Sequence, residues 1–201
     1  GCMLAMDTAG GALLASLGPL PPVTCACEGY APNIPTAQAR LEPLGVRVIP
    51  RQGAGDLPFE EGTFDLVTNR HGGYWVAELE RILKPGGSFI TQQVGGKNCI
   101  RLNEMLQDKV TFQYAYWTLE YALRQFEGSG FEIIDQREAY PEVDFYDIGA
   151  VVYLLKAVSW QVDDFNIETY REKLGKIHNI IQETGKFTVL AHRFYIEARK
   201  K

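Results

Sequence analysis

The sequence predicts an α/β fold: a mainly parallel, seven-stranded sheet, doubly wound, with helices on both faces. Two observations carry the prediction. Short β-type runs alternate with apolar stripes at helical spacing, and the connections between them are brief and rich in glycine and proline. Such alternation implies right-handed crossovers and parallel pairing. A chain of 201 residues, 46% hydrophobic and 22% charged, has material for one sizeable core and too little for two ordinary ones. Residues 1–201 are therefore expected to form a single domain, with decorating segments at about 99–117 and 137–186.

Gly1–Met6 is the first strand. It runs through a turn containing Gly10 and Gly11 into a helix over Leu13–Leu17. Val23–Cys27 is a β-type run ending at Glu28. Asn33-Ile-Pro35 opens a helix with proline in its first turn; Ile34, Ala37, Leu41 and Leu44 recur at helical spacing, and Gly45 ends it. Val46–Ile49 is the third strand, Leu57–Gly62 a polar connection and Phe64–Thr68 the fourth strand. Trp75–Leu83 forms a helix that Lys84-Pro-Gly-Gly87 breaks, and Ser88–Val94 returns as the fifth strand. Leu119, Ala122, Leu123 and Phe126 form a helical stripe that stops at Gly128, and Phe131–Gln136 is a sixth strand. Ile148–Val158 is a broadly apolar helix. Ile167, Tyr170, Leu174, Ile177 and Ile181 face one way on a helix ended by Gly185. Phe187–Ala198 alternates and predicts one long final strand with His192 on its apolar side, as a core histidine.

A net charge of −5 argues against nucleic acid as the main partner. No stretch approaches the ~20 apolar residues of a membrane span. Gly1–Leu20 has no basic start and carries Asp7, so it does not read as a signal peptide. Cys2, Cys25, Cys27 and Cys99 fit no zinc spacing, Cys25-x-Cys27 cannot easily close a disulfide, and the three histidines are scattered. A cytoplasmic setting and no metal are expected.

In an open α/β sheet, ligands bind at the carboxyl ends of the strands. That rule selects five segments. The first is the turn around Gly10 and Gly11, where small residues let backbone N–H groups approach a ligand. The second is Glu28, which follows Gly11 by 17 residues and is placed to accept from ribose hydroxyls. The others are Gly53–Phe59, Thr68–Tyr74 and Thr91–Gly96. Within them, His71 is an acid–base candidate or a structurally bonded loop histidine. Arg70 could hold a carboxylate or phosphate bidentately, or sit in an ion pair. Tyr74 and Trp75 could floor a pocket, with core packing the favoured reading of Trp75, and one of Gln92 and Gln93 should point inward by strand alternation. Phe112, Tyr114, Tyr116, Trp117, Phe145, Tyr146 and Tyr153 either line an apolar cavity or pack the decorating helices.

Leu57-Pro-Phe59, Gly62-Thr-Phe-Asp-Leu-Val67 and Arg81-Ile-Leu-Lys-Pro-Gly-Gly-Ser-Phe89 together resemble the class I S-adenosylmethionine-dependent methyltransferases that act on small molecules. The resemblance covers about residues 1–97 and is specific in its second half. It implies a Rossmann-like fold, S-adenosylmethionine as cofactor and a small-molecule methyl acceptor. It places cofactor contacts at Met6, Asp7, Thr8, Ala9, Gly10, Gly11, Glu28, Gly29, Ala54, Gly55, Asn69 and Arg70. Substrate contacts would come from His71, Tyr74, Gln92 and Gln93, with His71 as the catalytic base for a nucleophile that arrives protonated. A catalytically inactive binding protein on the same fold is the alternative. Nicotinamide-dependent redox chemistry is a third reading, against which the second-half motifs speak.

The sequence also departs from the family. Its first motif reads hydrophobic-Asp-x-Gly-x-Gly-x-Gly. In one register Ala5 stands at the acid, Asp7 and Ala9 replace two glycines, and Gly11 remains. In a register two residues later Asp7 is the acid and Leu13 displaces the last glycine. The first register keeps the following helix and the distance to Glu28. It brings a second negative charge, Asp7, close to where the cofactor's carboxylate would lie, and predicts weak binding. In the shifted register Asp7 itself pairs with the cofactor ammonium. The acid that holds the adenine amino group falls on Ala54, with Asp56 as a substitute. The sequence opens at the first strand, so the helix that usually lids the cofactor is expected to be missing from it.

Overall fold

The computed structural model describes residues 1–51, 53, 55–110 and 114–201. Their contacts fall into two compact units: residues 1–93, 119–137 and 194–201, and residues 94–118 and 138–193.

The first unit is built on a seven-stranded sheet. Its strands are β1 (Cys2–Met6), β2 (Val23–Glu28), β3 (Val46–Pro50), β4 (Phe64–Arg70), β5 (Leu83–Val94), β6 (Phe131–Ala139) and β9 (Arg193–Lys200), in the order β3-β2-β1-β4-β5-β9-β6. The pairs β1–β2, β1–β4, β2–β3 and β4–β5 are parallel. The helices between them are α1 (Ala12–Ser16), α2 (Ile34–Leu41) and α3 (Val76–Ile82), with α5 (Leu119–Arg124) before β6. In β1, Met3 to Met6 are all buried, as are Thr24 to Glu28 in β2. Continuous burial of this kind is the mark of strands covered on both faces. On one face, Met3, Ala5, Ala26, Val46 and Val48 pack with Leu14 of α1 and with Ala37 and Leu41 of α2. An aromatic cluster of Tyr74, Phe89, Phe126 and Phe131 packs edge-on and tilted, with centroids 5.0–6.3 Å apart.

Strand order runs outward from β1 in both directions, to β2 and to β4. The junction of β1 and β4 is therefore the point at which the order reverses, and the crevice above the strands' carboxyl ends opens there. The turn leaving β1 depends on Gly11. Its φ is 75°, and a Cβ there would lie 2.7 Å from Leu41 Cγ. Gly11→Ala combines left-handed strain with overlap against a fully buried leucine. It should cost about 1–3 kcal/mol of stability, read as a lowered midpoint in denaturant.

The second unit has α4 (Ile100–Leu106), α6 (Ile148–Ala157), α7 (Ile167–Thr184) and an antiparallel pair of β7 (Glu142–Phe145) with β8 (Phe187–Leu190). Leu102 and Leu106, Val151 and Leu155, Leu174, Ile177 and Ile181, and Phe145, Phe187 and Val189 form its core. Asp147 and Asn166 cap α6 and α7 by accepting from the N–H groups of Ala150 and Thr169.

Three expectations need correction. The run Phe187–Ala198 is not one strand: it breaks at Ala191 and His192 into β8, paired with β7, and β9, in the large sheet. At the break the His192 N–H donates to Asn98 Oδ1 (3.2 Å) instead of a ladder carbonyl. The buried set runs over Phe187, Val189 and Ala191 and then over His192, Phe194, Ile196 and Ala198, so its parity flips at the break; Leu190, apolar but exposed and in phase with the later set, hides the seam from the hydropathy pattern. Second, Lys84-Pro-Gly-Gly87 does not separate α3 from its strand but lies within β5. The irregularity opposite Phe64–Leu66 absorbs the extra residues, and Gly86 has φ 78°. Third, Trp75 is not core. It is 63% exposed and lies over Gly55, where a Cβ would be 2.8 Å from the indole.

Candidate active site at the strand carboxyl ends

Residues 7, 9 and 11 all adopt left-handed backbone, with φ of 54°, 50° and 75°, while Leu13 is helical. This is the glycine pattern of the first register, carried here by Asp7 and Ala9 at two of its three positions. Non-glycine residues in this region are strained by of order 1–3 kcal/mol each. Ala5, at the acid's position in the first register, is buried among apolar side chains.

Asp7 is not a bare second charge, as the sequence led us to expect. Arg51, directly after β3, grips it with two bonds, Nη2 to Oδ2 at 2.6 Å and Nε to Oδ1 at 3.2 Å. Arg51 Nη2 also donates to the Gly73 carbonyl (3.2 Å), and its backbone N–H donates to the Glu28 carbonyl (3.0 Å). Burial raises the Asp7 carboxyl above its ordinary range, with Arg51 pulling the other way.

Glu28 ends β2 and is buried, 3% exposed. One oxygen accepts from the Tyr30 N–H at 2.7 Å; the other, Oε2, has no partner. Asn69 near the end of β4 is also buried. Its Oδ1 accepts from Gln93 Nε2 (2.8 Å) and from Thr91 Oγ1 (3.2 Å), which fixes the amide so that Nδ2 faces away without a partner. Thr8 Oγ1 and Arg51 Nη1 are likewise buried and unbonded. Four unsatisfied polar atoms thus follow or end β1, β2, β3 and β4. Buried polar groups are rarely left so, and each costs free energy until a partner arrives.

Strand alternation sorts the residues around β4 and β5. Asn69, Thr91 and Gln93 share a buried face, and Gln93 Nε2 also reaches the Gly72 carbonyl (3.1 Å). Arg70 and Gln92 share the exposed face, bonded to each other at 3.2 Å. Of the two glutamines, then, Gln93 points inward. His71 is exposed, has φ 62°, and donates its N–H to the Gln92 carbonyl (2.9 Å). The Tyr74 ring is part of the aromatic cluster. Met6 is buried, Ala9 and Gly29 are exposed, and Gly10 and Gly55 are half-buried. Asp56 is exposed with φ 51°. Ala54 and Phe112 lie outside the described residues. Of the other aromatics, Phe145 is core in the second unit, whereas Tyr114, Tyr116, Tyr146 and Tyr153 are exposed. Among the described residues no group of three or more His, Cys, Asp or Glu could hold a metal ion, and no helix is long and apolar enough to cross a membrane.

Sequence reasoning did not single out Arg51 or Thr91. The signal for Arg51 was a basic residue directly after the third strand, facing two acids that follow the first two. Thr91 is apparent only from its register opposite Asn69.

A parallel sheet whose strand order reverses at β1 and β4 defines a Rossmann-like, doubly wound fold. Residues 9–91 match the family described as a methyltransferase domain. The fold is shared with a proposed methyltransferase from Bacillus halodurans C-125 (18% identity, TM-score 0.67, covering 98% of this chain and 91% of that one). It is also shared with a SAM-dependent methyltransferase from Aquifex aeolicus (14% identity, TM-score 0.57, covering 100% and 82%). The [4+2]-cyclase SpnF is similar as well (15% identity, TM-score 0.59, covering 98% and 74%). No curated protein matches the sequence. The family match covers fewer than half of the residues, and the solved structures share the fold.

Proposed function

We propose that the chain transfers a methyl group from S-adenosylmethionine to a small molecule, with the cofactor in the crevice at the ends of β1 to β4. The observation that carries this reading is the set of four buried, unpartnered polar atoms on Thr8, Glu28, Arg51 and Asn69. They fit a ligand rich in hydroxyls, amines and carboxylate. Glu28 Oε2 would accept from the ribose, and Asn69 Nδ2 would donate to a group over β4. When bound, S-adenosylmethionine supplies an electrophilic methyl on a sulfonium, already a good leaving group. The chain's contribution is then mostly orientation and exclusion of water. His71, at the mouth of β4, takes the proton of an N–H or O–H nucleophile. The reading takes residues 1–201 as one methyltransferase-like domain, acting in the cytoplasm without nucleic acid.

A second reading, a binding protein without transferase activity, is favoured by Ala5 and by the strained Asp7 and Ala9. The shared fold of a [4+2]-cyclase shows that this architecture is not tied to one chemistry. Calorimetric titration with S-adenosylhomocysteine and with NADH tests the cofactor. Saturable one-site binding of the first alone supports the proposal; binding of NADH alone, or of neither, overturns it. Transfer of labelled methyl to an extract of small metabolites then separates enzyme from binding protein.

A further inference from the structure

Arg51 is the unusual group in the crevice. Its side chain is only 7% exposed, yet of its three nitrogens Nε and Nη2 are bonded and Nη1 is not. Arg51 follows β3, and Asp7 follows β1, with β2 between them in the sheet. The guanidinium has therefore crossed the end of β2 to reach the junction of β1 and β4. There it also holds the Gly73 carbonyl after β4. The backbone after β4 presses on the same pair: a Cβ on Gly72 would lie 1.8 Å from Asp7 Oδ2. Asp7 has a left-handed backbone in this contact. A strained residue, a bidentate buried pair and a charged donor without an acceptor coincide at the point where ligands of such sheets bind.

We infer that the Asp7–Arg51 pair reads the zwitterionic amino-acid end of the cofactor, an inference that rests on the function proposed above. The side-on bond to Asp7 uses Nε and Nη2, so Nη1 faces away from that carboxylate and asks for another anion. The amino-acid carboxylate is the one anionic group S-adenosylmethionine has. The ammonium beside it is matched by the lone pairs left on Asp7, whose side chain is 22% exposed. A preformed ion pair presents both charges at fixed spacing, which suits a zwitterion and not a neutral thioether.

The test compares S-adenosylhomocysteine with 5′-methylthioadenosine, which keeps the nucleoside and lacks the amino-acid end. Both are titrated calorimetrically into wild type, Arg51→Ala, Arg51→Lys and Asp7→Asn, each checked for folding by circular dichroism. The wild type should prefer S-adenosylhomocysteine. Arg51→Ala should lower that affinity about tenfold to a hundredfold while leaving 5′-methylthioadenosine within about threefold. Arg51→Lys should keep part of the preference, and Asp7→Asn should lose it without removing the arginine. Equal losses for both ligands would make Arg51 merely structural, and tighter S-adenosylhomocysteine binding in Arg51→Ala would make it a plug. Either outcome overturns the inference and leaves the proposed function standing. A wild type that binds neither ligand overturns both.

Discussion

Glu28→Ala should lower S-adenosylhomocysteine affinity about tenfold to a hundredfold, the equivalent of ~1.5–3 kcal/mol for hydrogen bonds to a charged acceptor. Oε1 is engaged with the Tyr30 N–H, so the loss falls on Oε2, the oxygen that is buried and unbonded. Glu28→Gln is the sharper comparison. It keeps the shape and one carbonyl acceptor but removes the charge, and should fall between wild type and Glu28→Ala. Affinity unchanged in both variants would remove Glu28 from the site and leave its burial unexplained.

The second large effect concerns stability. His192 is fully buried in the second unit. Its Nδ1 accepts from the Lys97 N–H (3.1 Å), which leaves the proton on Nε2 to donate to Glu138 Oε1 at 2.8 Å. The ring stacks on Tyr140 with centroids 4.7 Å apart, and a Cβ on Gly95 would lie 2.2 Å from it. His192→Ala leaves a cavity, an orphaned amide and an unpaired carboxylate. It should cost about 3 kcal/mol or more, seen as a lowered unfolding midpoint. His192→Gln, which can keep one of the two bonds, should recover part of it. A loss below about 1 kcal/mol in His192→Ala would mean that backbone bonds, from the Gly95 N–H to the His192 carbonyl and from the Gly96 N–H to the Trp117 carbonyl, suffice to hold the loop 95–98.

Much of this architecture was legible because local signals agreed with the fold. Gly185 ends α7 with φ 83°, as its position in the hydropathy pattern predicted; Gly45 and Gly128 are also left-handed, at 79° and 75°, but α2 already ends at Leu41 and α5 at Arg124. The strands β1 to β4 are short, apolar and bounded by turns, so their existence followed from composition. What failed did so for physical reasons. The β8–β9 break was masked by Leu190, which is apolar and in phase with β9 yet exposed, while the buried residues of β8 lie in the other phase. The strand β7 and the helix α4 are short and lie within segments read as decoration. Trp75 lies exposed over Gly55, a neighbour 20 positions away that only the fold supplies. At the site, Glu28 was placed by spacing from the glycine turn. Arg51 was not, because Asp7 was read as a replaced glycine or as a partner of the cofactor ammonium, and its pairing with a residue after the third strand is a tertiary fact.

A crystal structure of the chain grown with excess S-adenosylhomocysteine tests the central claim most directly. The expected result is the ligand across the ends of β1 to β4, with ribose hydroxyls on Glu28 Oε2. Density for the ligand elsewhere, or an empty crevice in which water satisfies Glu28 Oε2 and Asn69 Nδ2, would contradict it.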